Sequence, residues 1–146
     1  MKLKVNELKT NLIHTLKQKK LRNTRQRQQI LEVFFSTDGH LTVDELYEKV
    51  KKINPKIGYA TIHRTLKLLA ECGIAEGIKI GNQKIVYEHK YGRKHHDHLM
   101  CLKCGKFIEI FSEELENIQD EVANKHNFKV IDHKLIIYGL CEKCRK

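Results

Sequence analysis

Four cysteines stand in two matching pairs, Cys101-Leu-Lys-Cys104 and Cys141-Glu-Lys-Cys144. A Cys-x-x-Cys bend presents two thiolates on one tight turn, and two such bends supply the four sulfur ligands that a structural Zn2+ takes in tetrahedral geometry. One ion shared by both pairs closes the loop between them, so its binding free energy becomes folding free energy. A second, chemically different cluster, His95-His96-Asp97-His98, lies just before the first pair. In an extended strand successive side chains alternate faces. His96 and His98 then point one way, and His95 and Asp97 the other, so one strand can serve two separate sites. The partners come from His40, Glu88, Glu109, Glu116, His126 and His133. Imidazole and carboxylate together suit Fe2+, Mn2+, Zn2+ or Co2+, whereas four thiolates suit Zn2+. His14, His63 and His89, each standing alone, read as ordinary surface or hydrogen-bonded histidines. Cys72 reads as a small buried residue.

These groups need elements to hold them. Val5, Leu8, Leu12, Ile13 and Leu16 recur at helical spacing, which predicts a helix over residues 3–19. The basic residues Lys17, Lys19, Lys20, Arg22, Arg25 and Arg27 follow. Thr24 caps a second helix with Ile30, Leu31, Phe34 and Phe35 on its apolar face, ended by Asp38-Gly39. Thr42 and Glu45 form a capping box that opens a third helix, running to Ile53 and broken by Asn54-Pro55. A fourth helix spans 59–72, with Ile62, Leu66, Leu69 and Ala70 inward and Gly73 as its stop. The period then changes to strand. Ile74–Lys79 and Lys84–Glu88 form a hairpin turning around Gly81-Asn82. Helices followed by a hairpin is the order of a winged helix-turn-helix, with residues 59–72 as the recognition helix in the DNA major groove. Arg64 can make a bidentate contact to guanine, and Tyr59, Thr61 and His63 reach bases or phosphates. Arg25 and Arg27 complete the candidate DNA contacts.

Residues 90–94 read as a linker between residues 1–89 and residues 95–146. Beyond it, His98–Cys101 and Phe107–Phe111 read as strands. Ser112 begins a helix with Leu115, Ile118 and Val122 on one face, and Phe128–Leu140 reads as a third strand. The fold class is therefore α+β: an N-terminal winged helix-turn-helix domain followed by a small α/β dimerisation domain.

Charge divides along the same line. Residues 1–90 hold 18 Lys and Arg against 9 Asp and Glu, whereas residues 91–146 hold 10 against 9. The first part suits a polyanion. No apolar run approaches the roughly 18 residues that a spanning helix needs. The first residues are charged and lack an apolar signal core. The chain reads as cytoplasmic, and in a reducing compartment Cys-x-x-Cys pairs favour metal over disulfide. An enzyme using the cysteines as a dithiol, or the His/Asp cluster as a catalytic centre, is the rival class. Nothing supplies a substrate pocket, and two paired bends fit a closed zinc site better, so the chain reads as no enzyme.

Gly58-Tyr59-Ala60-Thr61-Ile62-His63-Arg64-Thr65-Leu66, and His95-His96-Asp97-His98-Leu99-Met100-Cys101-Leu102-Lys103-Cys104-Gly105-Lys106, resemble the ferric uptake regulator family. The resemblance runs from about Leu21 to Cys144. It implies a homodimeric, metal-dependent transcription repressor acting on a palindromic double-stranded operator. It implies structural zinc on Cys101, Cys104, Cys141 and Cys144. A regulatory metal, Fe2+ with Mn2+ or Zn2+ possible, would use His40, Glu88, His96, His98 and Glu109. An additional metal would use His95, Asp97, Glu116 and His133. Peroxide-sensing relatives tend to carry Asp at the position of Glu109 and differ at Arg64, and zinc-sensing relatives usually bring a cysteine into the His-His-Asp-His cluster. On both counts this chain resembles the iron-uptake branch. Three departures stand out: His63 replaces a usual tyrosine, Gln26 replaces a common proline, and the stretch from Glu88 to His95 is one residue longer than in many members. The last makes His89 an alternative to Glu88 as ligand.

Overall fold

The computed structural model describes residues 2–80, 84–90 and 93–146. The turn expected at Gly81-Asn82, the linker residues Tyr91 and Gly92, and the side chains of Val5 and Leu8 lie outside the described residues. The chain divides into two compact units, Met1–Arg93 and Lys94–Lys146. The first unit joins four helices to an antiparallel sheet and the second joins one helix to a mixed sheet, giving an α+β fold.

In the first unit, α1 (Lys2–Gln18) is followed by α2 (Arg25–Phe35), whose Thr24 N-cap accepts a hydrogen bond from the Arg27 amide at 3.2 Å. α3 (Val43–Ile53) opens on a complete capping box. The Glu45 amide donates to Thr42 Oγ1 at 3.2 Å, and the Thr42 amide donates to Glu45 Oε2 at 2.8 Å. Two of the four orphan donors of that helix end are thereby satisfied. At its other end Asn54 accepts the Lys56 amide at 3.1 Å and donates to Gln29 at 2.8 Å, tying the break to α2. α4 (Tyr59–Glu71) ends where Gly73 adopts φ 72°. That left-handed residue lets the Ile74 amide reach back to the Leu69 carbonyl at 2.9 Å. Leu12, Leu16, Ile30, Phe34, Leu46, Val50, Ile62, Leu66 and Leu69 bring all four helices to one core.

β2 (Ala75–Ile80) and β3 (Lys84–His89) form the wing. Their sheet has a third member absent from the sequence reading, β1 (Leu41–Thr42), which pairs Leu41 with Tyr87 and Thr42 with Val86. Two residues carry no period, and only the ladder defines them. The unit is a winged helix-turn-helix, with α3 and α4 as the helical pair.

The second unit places β4 (Asp97–Cys101) between β5 (Phe107–Ile110) and β6 (Ile136–Gly139). β4 and β5 are antiparallel, and β4 and β6 are parallel. α5 (Glu113–Lys125) starts at Ser112, whose hydroxyl accepts the Leu115 amide at 3.4 Å. The expected strand Phe128–Leu140 is a correction: only Ile136–Gly139 is strand. β-Branched composition gives propensity, but a strand also needs a ladder partner. β4 is five residues long and pairs with β6 over residues 136–139 alone. Residues 128–135 are irregular, and the Asp132 carboxylate accepts the His133 amide at 3.0 Å. No helix among the described residues is long and apolar enough to cross a membrane.

Because the capping box satisfies two helix-end donors, Thr42→Ala is expected to cost about 1 kcal/mol. Thermal unfolding followed by circular dichroism should show a melting temperature lower by about 4–8 °C for a unit of this size. An unchanged midpoint would mean that water replaces both bonds.

Candidate metal centres

Parallel pairing of β4 and β6 decides where the cysteines fall. Cys101 is the last residue of β4 and faces Gly139 at the end of β6. Each chain then turns sharply. The Gly105 amide donates to the Cys101 carbonyl at 2.9 Å, and the Cys144 amide donates to the Cys141 carbonyl at 2.9 Å. Gly105 at φ 72° permits the first turn. Two like-directed strands thus deliver two like bends to one end of the sheet. The four ligand sulfurs lie within 4.8 Å of one another, and Cys104 Sγ is 3.6 Å from Cys141 Sγ. Tetrahedral Zn–S bonds of about 2.3 Å require sulfurs about 3.8 Å apart.

The thiols also conflict with one another. Backbone N–H groups of Cys104 and then Cys141 pull the Cys101 thiol down to about 6. The Cys141 amide stands 3.3 Å from Cys101 Sγ. Cys144 is pushed the other way, to about 12, first by its hydrogen bond with the Cys141 side chain. One thiolate is welcome in the cluster and its neighbours resist further charge. A dication resolves that conflict, so the donor set fits Zn2+.

A second cluster lies wholly within the same unit. His95 Nε2 stands 3.3 Å from Glu116 Oε1 and 3.4 Å from Asp97 Oδ1. His133 Nε2 is 3.3 Å from the same Glu116 oxygen, and the His95 and His133 ring centroids are 4.3 Å apart. The four ligand atoms fall within 4.8 Å. Asp97 is 1% exposed, and neither of its buried carboxylate oxygens has a hydrogen-bond partner. A buried carboxylate that accepts no hydrogen bond is costly, and a bound cation would compensate it. Two imidazoles and two carboxylates fit a divalent ion of the Mn2+, Fe2+ or Zn2+ type.

The remaining candidate ligands stand as separate groups in each unit. In the first, one step beyond the Leu41–Tyr87 pair of the β1–β3 ladder brings His40 to Glu88. His40 Nε2 is 3.0 Å from Glu88 Oε2. Arg93, assigned to the linker from sequence, donates to the same oxygen at 2.9 Å. Glu88 is buried. Its neighbour His89 packs edge-on against Phe34 and Phe35, at centroid distances of 5.9 and 5.5 Å. Glu88, and not His89, therefore accompanies His40. In the second unit the His96 and His98 rings meet edge to face at 4.8 Å. Glu109 is the cross-strand partner of His98, and its Oε1 stands 3.9 Å from His96 Nε2. His126 caps the end of α5 and joins none of these groups.

Of the candidate DNA contacts, Tyr59, His63 and Arg64 are exposed on α4, and Thr61 is half-buried. Arg25 is exposed in the first turn of α2, and the Arg27 guanidinium donates to the Arg22 carbonyl. The Asp44 carboxylate near Tyr59 pushes its phenol above the ordinary range, and the Tyr59 ring meets Tyr47 edge to face at 5.6 Å. Sequence reasoning missed Arg93 as a partner of Glu88, because only tertiary placement brings the two together.

The model of the ferric uptake regulator family matches residues 18–138. A ferric uptake regulation protein of Neisseria meningitidis is 36% identical over 138 residues, covering 94% of this chain and 95% of its own. The Helicobacter pylori ferric uptake regulator, described with three functional metal binding sites, superposes with TM-score 0.80 at 27% identity, covering 97% of this chain and 93% of that one. The Campylobacter jejuni peroxide stress regulator superposes with TM-score 0.68 at 30% identity, covering 90% and 98%.

Two outcomes follow from the clusters. Cys104→Ser should release zinc and lose the second unit's circular dichroism signal, and acidification of the unaltered chain should do the same, because protons compete for the thiolates. A chelator-sensitive indicator dye reads both; retention of one equivalent by the variant would contradict the tetrathiolate. Asp97→Asn should raise the melting temperature of chelator-treated protein and lower that of Mn2+-loaded protein. Equal midpoints in both states would mean that this carboxylate holds no ion.

Proposed function

Because the chain belongs to the ferric uptake regulator family, we propose that it is a homodimeric, Fe2+-responsive repressor of iron-uptake genes that binds a palindromic double-stranded operator. The family is one of metal-responsive transcription regulators, not enzymes. In this reading residues 1–89 bind DNA, 90–94 link, and 95–146 dimerise and hold metal. α4 enters the major groove, Arg64 and His63 face base edges, Tyr59 and Thr61 line its first turn, and Arg25 and Arg27 hold phosphates.

Three ligand sets follow. Cys101, Cys104, Cys141 and Cys144 take structural Zn2+. His95, Asp97, Glu116 and His133 take an additional ion. His40 and Glu88 of the first unit, with His96, His98 and Glu109 of the second, take the regulatory ion. The observation that carries the reading is the His40–Glu88 contact at 3.0 Å, a ligand pair built into the same unit as the recognition helix. An ion shared with the second unit's histidines supplies a bond between ligands on two units. Metal occupancy and DNA affinity are then linked. Exposed apolar side chains on the second unit, among them Phe111, Phe128 and Ile131, support a protein-covered face.

Glu109 supports iron uptake over peroxide sensing, since the resemblance associates Asp at that position with peroxide sensors. The likeness to the Campylobacter jejuni peroxide stress regulator makes peroxide the second reading. Operator affinity measured anaerobically by fluorescence anisotropy at fixed salt distinguishes them. Fe2+ and Mn2+ should each tighten binding, and peroxide should leave the Fe2+ complex intact. Loss of the Fe2+ complex on peroxide would favour the second reading, and a response to Zn2+ alone would mean zinc homeostasis. His96→Ala and His98→Ala should abolish the metal response while keeping one equivalent of zinc; an unchanged response in both would overturn the ligand assignment.

A further inference from the structure

Gly58, the N-cap of α4, has no side chain to offer the orphan amides of the first turn. The backbone there is held from both sides. Ile57 before the cap and Ile62 after it are fully buried in the shared core, at the two positions of a hydrophobic staple. Between them Tyr59, the first residue of the helix, is 45% exposed. Its ring meets the ring of Tyr47 on α3 edge to face, with centroids 5.6 Å apart and planes at 73°. Tyr47 in turn packs against the core, and Lys51 Nζ lies 5.6 Å from its centroid.

That row fixes the direction of one aromatic ring at the start of α4. Edge-to-face pairs favour this separation and tilt, and a cation over the Tyr47 ring adds to the hold. His63 stands one turn after Tyr59 on the same helix face. Tyr59 and His63, with Asp44 and Lys84, border one open cleft of about 200 Å³ between the two helices and the wing. A flat ring held at such a place suits the apolar group that the major groove displays, the C5 methyl of thymine. Such a contact depends on sequence, whereas attraction to phosphate does not.

We propose that Tyr47 is a positioning residue for base recognition: its ring sets the direction of the Tyr59 ring, and Tyr59 reads a thymine methyl in the major groove. This rests on the reading of α4 as the recognition helix. Tyr47 acts through Tyr59, so its loss falls on discrimination between duplexes and not on general affinity for DNA.

The test uses the full zinc-loaded chain with Mn2+ at fixed salt. The probes are a duplex recovered by the unaltered protein from a random-sequence pool, and a scrambled duplex of equal composition. Thymines of the recovered duplex are replaced one at a time by deoxyuridine, which removes only the methyl group. At one or more positions the unaltered protein should lose affinity by about three- to fivefold, the range for one buried methyl. Tyr59→Ala should bind the thymine and deoxyuridine forms equally at that position. Tyr47→Leu, which keeps an apolar side chain against the core but no ring, should do nearly the same. Tyr47→Phe, which keeps the ring, should retain the full methyl effect. The scrambled duplex should bind all of these proteins alike. A full methyl effect in Tyr47→Leu would overturn the inference. If Tyr47→Leu instead weakens the recovered and scrambled duplexes equally, Tyr47 only stabilises the fold and the inference falls. It falls also if no thymine shows a methyl effect that depends on Tyr59. An unaltered protein that selects no duplex would overturn the recognition-helix reading, and this inference with it.

Discussion

Lys94–Lys146 has almost no interior. Among its described residues only Asp97, His98, Met100 and Cys101 are buried, all on the central strand, and α5 buries none. Below roughly 70–80 residues a hydrophobic core alone rarely stabilises a fold, and a metal or another cross-link takes its place. A metal on the four thiolates would be that cross-link, joining the ends of two parallel strands that otherwise depend on a short ladder. An ion on the His/Asp cluster would be a second, from β4 through Glu116 of α5 to His133 in the irregular segment before β6. In the proposed reading metal chemistry stands in for burial. The same central strand that carries ligands on both faces is also the only part of the unit that is packed.

The first unit is built the other way. Four helices converge on one apolar core, and the His40–Glu88 pair sits where the chain enters the two-residue strand beside the central strand β3. This division separates stability from response. The helical unit rests on its apolar core, and the buried Glu88 is shared between His40 and Arg93.

Local signals in the sequence were strong where the chemistry is local. Thr42 with Glu45, Thr24 before a helical stripe, and Gly73 at a helix end each name their own geometry, and the structure shows each one. The paired Cys-x-x-Cys bends and the alternating His-His-Asp-His run are also local, so spacing alone separates the thiolate set from the two faces of the histidine run. What failed needed distant partners. Residues 128–135 carry strand-forming side chains but have no ladder to join. β1 exists only because Tyr87 and Val86 lie opposite it. Glu88 and His89 were indistinguishable as neighbours until the sheet placed one beside His40 and the other against Phe34 and Phe35.

The central claim is that one ion and the operator act on a single equilibrium. Linkage makes that claim reciprocal: if the metal raises DNA affinity by some factor, DNA raises metal affinity by the same factor. Mn2+ binding followed by electron paramagnetic resonance, on zinc-loaded protein alone and on protein saturated with operator, measures it directly. The account predicts tighter Mn2+ binding on DNA by the factor seen in the converse experiment, on the order of 5–150-fold. Equal Mn2+ affinity with and without operator would contradict it.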